Sequence, residues 1–507
     1  MRERRKLSVN LIASVICFAL NICYGLLLTP YIVHTIGTEA NGYLGLANNM
    51  VNYASILTVA LNSVVGRFVS IKYHENKHDE ANSYFVSTII ANIFLATILL
   101  FIAFPILVYL EKIINIESCD IRDVKILFLF VILNFIINVI FSSFSVSTFI
   151  TNKLYLTSIA NVVAIFIKGY VLIILFSKSS IHLWYVGFAT CLSSFAYALF
   201  HICYKRKLIP DIVFNVSLFS LKKIKELLAA GVWNSITRLA QMLSDGLDLL
   251  LANLFVSPYK MGLLSISQTV PVALSSLMST ISSLFTPNIT LYYAKNDKEM
   301  LMKELKNSIF FTGSISNAVF ATVVIVGKEF YMLWQPGQNY DELYILTLLY
   351  MLGFLTSGVA TSLQSIPLIT NNLKKYSLVW LLVSFFNMLN VYFLLHTKLD
   401  GACVIASVSQ IMGCIVNLTF VPIYSAYLLK EKMTYFYSAV FRYLTSTVLM
   451  IFILKFISFI YVFEAHSWIT LITKSAVYIV LEEMINWIFM LEKEQKNMLI
   501  TKLIKKG

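Results

Sequence analysis

Charge is what this sequence has least of. Asp, Glu, Lys and Arg make up 13% of its 507 residues, while 58% are hydrophobic. A soluble domain carries roughly 25% charged residues. The chain has too little charge to cover the surface of a soluble fold of this length. Catalytic signatures are missing as well. There is no HExxH, no GxSxG and no Walker A sequence. The seven cysteines, Cys17, Cys23, Cys119, Cys191, Cys203, Cys403 and Cys414, form no CxxC pair. Neither a metal site nor a disulfide framework is indicated. The histidines lie in or beside connectors, apart from His201 at a span end, and no His/carboxylate cluster reads as a metal site. No cofactor is expected.

What remains is hydrocarbon. A helix needs about 20 apolar residues to cross a bilayer. Spans are expected near 9–33, 42–66, 84–110, 124–150, 154–176, 181–204, 226–256, 261–286, 307–333, 343–370, 376–396, 401–429, 437–461 and 467–491. The first follows MRERRKL. It is too long for a signal-peptide core and lacks a cleavage site, so it reads as a span. Thr151-Asn152-Lys153 separates the fourth from the fifth. The largest outer loop is expected around Gly327–Glu342, which leaves no room for an extracytoplasmic catalytic domain.

The net charge of +13 sits in short clusters between apolar runs, which argues against nucleic acid. One set of connectors holds Arg2/Arg4/Arg5/Lys6, Lys72/Lys77, Lys153, Lys205–Lys225, Lys295–Lys306, Lys374/Lys375, Lys430/Lys432 and the tail lysines. The alternate set holds only Lys112, Arg122, Lys125, Lys178, Lys260, Lys328 and Lys398. The positive-inside rule puts the rich set, and both termini, in the cytoplasm. The segment 205–225, with Ile212-Val213-Phe214 and Leu218-Phe219, reads as an amphipathic interfacial linker.

A shift of 220 residues superposes two stretches. Gly42 falls on Gly262, Leu44 on Leu264, Asn48 on Gln268, Val69 on Ile289, Tyr73 on Tyr293, Asn76 on Asn296 and Asp79 on Glu299. An even number of spans separates the copies, so both have one orientation. The expected fold is an all-α integral membrane protein of about fourteen helices, in two parallel six-helix lobes plus two more. The lobes are 1–204 and 226–432. The linker is 205–225, the added helices lie in 433–491, and the basic tail is 492–507.

Ionisable groups at bilayer depth are costly and mark cavities or pairs. On an unbroken span 7, Asn234, Arg238, Gln241, Asp245 and Asp248 share an arc of about 80°. This face either lines a cavity, with Arg238 meeting an anion, or glues helices through an Arg238–Asp245 pair. Asp245 and Asp248 are the candidates for binding a coupling ion. Span 2 adds Asn48, Asn52, Ser55 and Asn62 on one face, suited to sugar hydroxyls or to bridging helices. Gln268, the repeat counterpart of Asn48, joins this set. Arg67 ends span 2, where it meets a phosphate or snorkels. Lys168 is a second cation for the cavity. Arg442 is expected to snorkel. Lys455, Lys474, Glu482 and Glu483 are expected to pair with one another. Pro271 and Pro367 are expected to kink their spans.

In these features the chain resembles the polysaccharide-transporter branch of the multidrug/oligosaccharidyl-lipid/polysaccharide exporter superfamily, and within it the O-antigen or capsule repeat-unit flippases. The segments that carry the likeness are VVGRFVSIKYHENKHDEANSYF, KRKLIPDIVFNVSLFSLKKIKELLAAGVW and ISQTVPVALSSLMSTISSLFTPNITLYYAKNDKEML. The resemblance implies movement of a polyprenyl-diphosphate oligosaccharide from the cytoplasmic to the outer leaflet of a bacterial inner membrane. It implies a cationic cavity, which Arg67, Lys168 and Arg238 would supply. Asp245 and Asp248 depart from that pattern and would fit proton or sodium coupling. No bond is made or broken, so no enzyme is implied. Membrane lipids, a polysaccharide polymerase and a chain-length regulator would be its partners. A cation-coupled drug exporter and a membrane polymerase or ligase are the competing readings.

Overall fold

The computed structural model describes residues 2–177, 181–460, 465–491 and 496. The side chains of 2–8, Leu11 and Asp245 lie outside that description. So do Lys178 and, apart from Lys496, the basic tail. No strand occurs among the described residues.

The helices are α1 Arg2–Thr35, α2 Thr38–His74, α3 His78–Val108, α4 Ile121–Ile150, α5 Leu154–Phe176 and α6 Trp184–Leu208. Next come α7 Leu221–Gln241 and α8 Asp248–Phe255, which together make the seventh span. Then follow α9 Pro258–Ala294, α10 Lys298–Trp334, α11 Tyr340–Ile369, α12 Leu373–Leu395 and α13 Gly401–Leu428. The last two are α14 Tyr437–Ile460 and α15 Trp468–Phe489. Twelve of these are long and apolar enough to span a membrane. The interrupted α7/α8 pair and α15, which carries Lys474, Glu482 and Glu483, complete the fourteen. Helix starts follow ordinary chemistry. Asp120, Asp297, Asn339 and Asp400 each accept a backbone N–H as N-caps, and Ser467 with Thr470 forms a capping box.

The repeat is visible in the helix ends. Thr38–His74 and Pro258–Ala294 differ by 220 at both ends, as do the starts of α3 and α10. The bounds of α4 and α11, and of α5 and α12, differ by 219. The connecting turns match too. Asn76 and Asn296 have φ of 58° and 55°, and Asn152 and Asn371 have 50° and 57°. Asparagine tolerates this left-handed region better than other side-chain residues. Each turn closes with the same two backbone bonds: Asn76 N–H to Tyr73 O and Lys77 N–H to Lys72 O repeat as Asn296 to Tyr293 and Asp297 to Tyr292.

The chain divides into two compact units. One holds Met1–Ile266 and Ser377–Met388, the other Ser267–Tyr376 and Leu389–Gly507. In the first unit α2 crosses the start of α9 at repeat-equivalent glycines. A Cβ on Gly42 would lie 2.9 Å from the Gly262 nitrogen, and one on Gly262 would lie 2.4 Å from the Thr38 carbonyl. Asn62, Asn92 and Ser142 join α2, α3 and α4 through bonds of 3.0–3.2 Å. The 209–220 stretch is irregular apart from a short turn at Val216–Leu218. It buries Ile209 and Ile212 against Leu61, Val65, Val69 and Tyr84, and exposes Val213, Phe214 and Val216.

In the second unit three prolines are each answered by a hydroxyl. Proline removes the donor to the carbonyl four residues back. For Pro271 that carbonyl is Ser267 O, and Thr347 Oγ1 donates to it at 3.3 Å. Ser425 Oγ serves Leu363 O, four before Pro367, at 3.2 Å. Tyr437 Oη serves Leu418 O, four before Pro422, at 2.9 Å. Helix α9 breaks at Gln268, and a new short helix starts beside Pro367. The freed carbonyls at these breaks are repaired by neighbouring helices.

Two expectations are corrected. The outer loop expected at Gly327–Glu342 is mostly helix, because α10 runs on to Trp334 and α11 starts at Tyr340. The ionisable residues of the last two spans do not pair with one another. Lys474 reaches Glu329 of α10 at 2.7 Å, Glu482 accepts from Thr322, and Glu483 accepts from Ser314. Helical position explains this, since α15 lays its polar stripe on α10 and α10 supplies the matching groups.

Candidate functional site

The site forms where α7 packs antiparallel to α2, wholly within the first unit. At Gly231 the two backbones come closest. A Cβ there would sit 1.9 Å from the Ala60 carbonyl oxygen, so only glycine lets the backbones meet. One turn on, Asn234 Nδ2 donates to Ser63 Oγ at 3.0 Å, and Ser235 Oγ donates to Ile56 O at 3.0 Å. Another turn on, Arg238 Nη2 donates to Asn52 Oδ1 at 3.0 Å. Arg238 Nη1 reaches Gln241 Oε1 at 3.4 Å. Residues 231, 234/235 and 238 are spaced for one helix face.

Among the described side chains, Arg238 has neutral amide partners only. Asn52, Gln241 and Asn48 are exposed, and Arg238 is partly so. A guanidinium has five N–H donors, and these two bonds leave several for an incoming anion. Asn48 lies one turn from Asn52 and binds its own helix through Leu44 O at 2.9 Å. The arrangement offers a cation framed by amides, which suits a phosphate with hydroxyls around it.

The polar stripe is not continuous. The α-helix stops at Gln241, a π turn covers Met242–Gly246, and α8 restarts at Asp248. A π turn widens the helix and shifts the register. The shared arc expected for five residues therefore holds through Gln241 and breaks before the acids. Asp248 is buried, 4% exposed, at the start of α8. The Asp245 side chain lies outside the described residues. Tyr53 Oη donates to Gly246 O, and Asn387 Nδ2 donates to Ser244 O at 3.1 Å, so the turn is held by side chains.

Three expected members lie elsewhere. Arg67 is exposed and has no protein partner among the described residues. Lys168 sits on α5 with its Nζ 4.8 Å from the Tyr24 ring centre, a cation–π contact. Tyr24 itself lines a cavity of about 460 Å³ with Leu28, Tyr31, Leu172, Ile173 and Phe176. Gln268 belongs to the second unit and donates to Tyr350 Oη at 2.8 Å. The structure brings together Asn52, Asn234, Arg238 and Gln241. Sequence reasoning missed Ser63 and Ser235 as cross-helix partners, and Gly231 as the contact that sets their spacing. A glycine, an amide and an arginine recurring every three to four residues was the available signal. No group of His, Cys, Asp and Glu suited to a metal occurs among the described residues.

The sequence profile described as "Polysaccharide biosynthesis protein" matches residues 9–292, more than half of the sequence. The chain belongs to the polysaccharide biosynthesis protein family. A relative in Bacillus subtilis (strain 168), the "Uncharacterized membrane protein EpsK", is 28% identical over 471 residues, 92% of each chain. Among solved structures, the lipid II flippase MurJ in an inward closed conformation gives a TM-score of 0.65 at 15% identity, covering 94% of this chain and 97% of that one. An inward-facing multidrug resistance MATE family transporter of the MOP superfamily also gives 0.65, at 13% identity, over 81% and 95%. At those identities the likeness is one of fold. The fold is one shared with a flippase and with a transporter.

Proposed function

We propose that the chain is a flippase for polyprenyl-diphosphate-linked oligosaccharide repeat units in O-antigen, capsule or exopolysaccharide synthesis. A diphosphate-sugar head group cannot cross hydrocarbon unaided. Arg238 would bind the diphosphate, and Asn48, Asn52, Asn234 and Gln241 the sugar hydroxyls, while the prenyl tail stays in lipid. The carrying observation is Arg238 held by neutral amides, with its remaining donors open to an anion. Residues 1–204 and 226–432 would rock as two lobes to give alternating access. Arg67, Lys168 and Gln268 would meet the substrate at other stages of the cycle. The basic connectors support a bacterial inner-membrane orientation with both termini cytoplasmic. A polymerase and a chain-length regulator would take up the product.

Arg238→Ala removes a charge-assisted contact worth about 1.5–3 kcal/mol. That corresponds to roughly a 10- to 150-fold loss of export. The measurement is surface polysaccharide in a strain expressing the variant at the normal protein level. Unchanged surface polysaccharide would overturn the assignment.

Buried Asp248 favours a second reading, cation-coupled drug export by the same fold. Efflux of cationic dyes that depends on Asp248, with glycan export intact in its absence, would select that reading.

A further inference from the structure

Helices α10, α14 and α15 share a buried polar ladder that the Arg238 groove does not use, all within the second unit. At one end Lys474 pairs with Glu329 at 2.7 Å. Next, Thr322 Oγ1 lies 3.2 and 3.1 Å from the two oxygens of Glu482. Glu483 accepts from Ser314 Oγ at 2.5 Å. Asn486 donates to Ser314 O at 3.2 Å and accepts from Ser446 Oγ at 3.0 Å. Asn317 Nδ2 reaches Met490 Sδ at 3.5 Å. Met490 in turn walls a cavity of about 270 Å³ with Lys306 and Arg442.

Glu482 is the anomaly in this ladder. It is 0% exposed, where α15 contributes Leu471, Tyr478 and Ile485 to an apolar cluster with Ala321 and Val326 of α10. Its hydrogen-bond partner is one hydroxyl, and a hydroxyl has one proton to give to two carboxyl oxygens. No Lys, Arg or His contacts it among the described residues. Of the charged groups on these helices, Lys474 and Glu483 lie on its own helix, Glu329 on α10, and Arg442 and Lys455 on α14. Lys474 is already engaged by Glu329, and Lys455 is exposed. Glu483, the neighbour in sequence, adds like charge. An ionised carboxylate at bilayer depth costs about 2.5–3.5 kcal/mol even on the mildest scale. The group escapes that cost by binding a proton.

We propose that Glu482 is a proton-binding site and that one proton, taken from water on one side and released on the other, passes through it in each transport cycle. The carboxylate and one proton form the neutral acid, and release restores the carboxylate, so charge and atoms balance with no other reactant. The ladder from Asn486 and Ser314 to the Met490 cavity is the polar route to water. This gives α14 and α15 a task beyond packing. The coupling step rests on the transporter reading, but proton binding does not.

Two experiments separate these parts. Infrared titration of the purified full-length protein reports protonated carboxyls directly, without any substrate. The wild type should show a carboxylic-acid C=O band at neutral pH that Glu482→Gln removes and Glu483→Gln keeps. Thr322→Val, which removes the donor to the ionised form, should make that band persist to higher pH. A Glu482→Gln spectrum identical to the wild type would overturn the site. In proteoliposomes loaded with lipid-linked oligosaccharide and a pH-sensitive dye, wild-type flipping should respond to an imposed pH gradient. Glu482→Gln, which keeps a hydrogen-bonding amide, should flip without that response. A purely structural Glu482 would leave the gradient response as in the wild type, and that result would overturn the coupling.

Discussion

Gly231→Ala is the smallest change that tests the α2–α7 contact. The added methyl carbon would sit 1.9 Å from the Ala60 oxygen. Carbon–oxygen contacts close to no less than about 3.3 Å, so the helices must part by roughly 1.4 Å. The obstacle is backbone, which cannot rotate away. The 3.0 Å bonds from Asn234 to Ser63 and from Arg238 to Asn52 lie one and two turns further along. The same displacement would stretch them to about 4.4 Å, beyond hydrogen-bond range. Overpacking costs about 1–3 kcal/mol, and each lost interhelical bond about 0.6 kcal/mol in a membrane. The sum is about 2–4 kcal/mol. The variant should insert in the membrane, unfold at a lower temperature in detergent, and export glycan as poorly as Arg238→Ala. Wild-type melting together with wild-type export would show that the backbones do not meet at Gly231.

Thr347→Val should strand the Ser267 carbonyl freed by Pro271 and cost about 1–3 kcal/mol. Pro271→Ala in the same chain should recover most of it, because the helix then supplies its own donor, and thermal melting of the single and double variants measures the difference. Asn296→Ala should destabilise by about 1–2 kcal/mol through its left-handed backbone, whereas Asn296→Gly should be nearly neutral. Equal melting of those two variants would contradict the φ of 55° at that turn.

Hydropathy made the helices legible, because a bilayer demands long apolar runs and little else. The repeat was legible in Tyr73/Tyr293 and Asn76/Asn296 because the turn needs an asparagine at a left-handed position, a demand of backbone geometry. The bonded trio Asn52, Arg238 and Gln241, with Asn234 one turn away, lay within the residues expected to line a cavity, and Asn234, Arg238 and Gln241 share a face up to Gln241. The break after Gln241 was hidden. Nothing in Met-Leu-Ser-Asp-Gly forbids an α-helix, and the π turn depends on Tyr53 and Asn387 arriving from other helices. The partners of Lys474, Glu482 and Glu483 were hidden for a related reason. Hydropathy says which residues need partners, while helix packing decides that Glu329, Thr322 and Ser314 supply them.

The glycine crossing of α2 and α9 has a consequence of its own. Gly42 and Gly262 are the same position in the two copies of the repeat, and they touch each other. Contacts of this kind are otherwise found in symmetric homodimers, where a residue beside the twofold axis meets itself. In a homodimer one mutation strikes such a contact twice, and no partner is left to compensate. Joining the copies in one chain removes that constraint. The residues around the two glycines can now change on one side alone, so the seam that was bound to be symmetric is free to become a lock with two different sides.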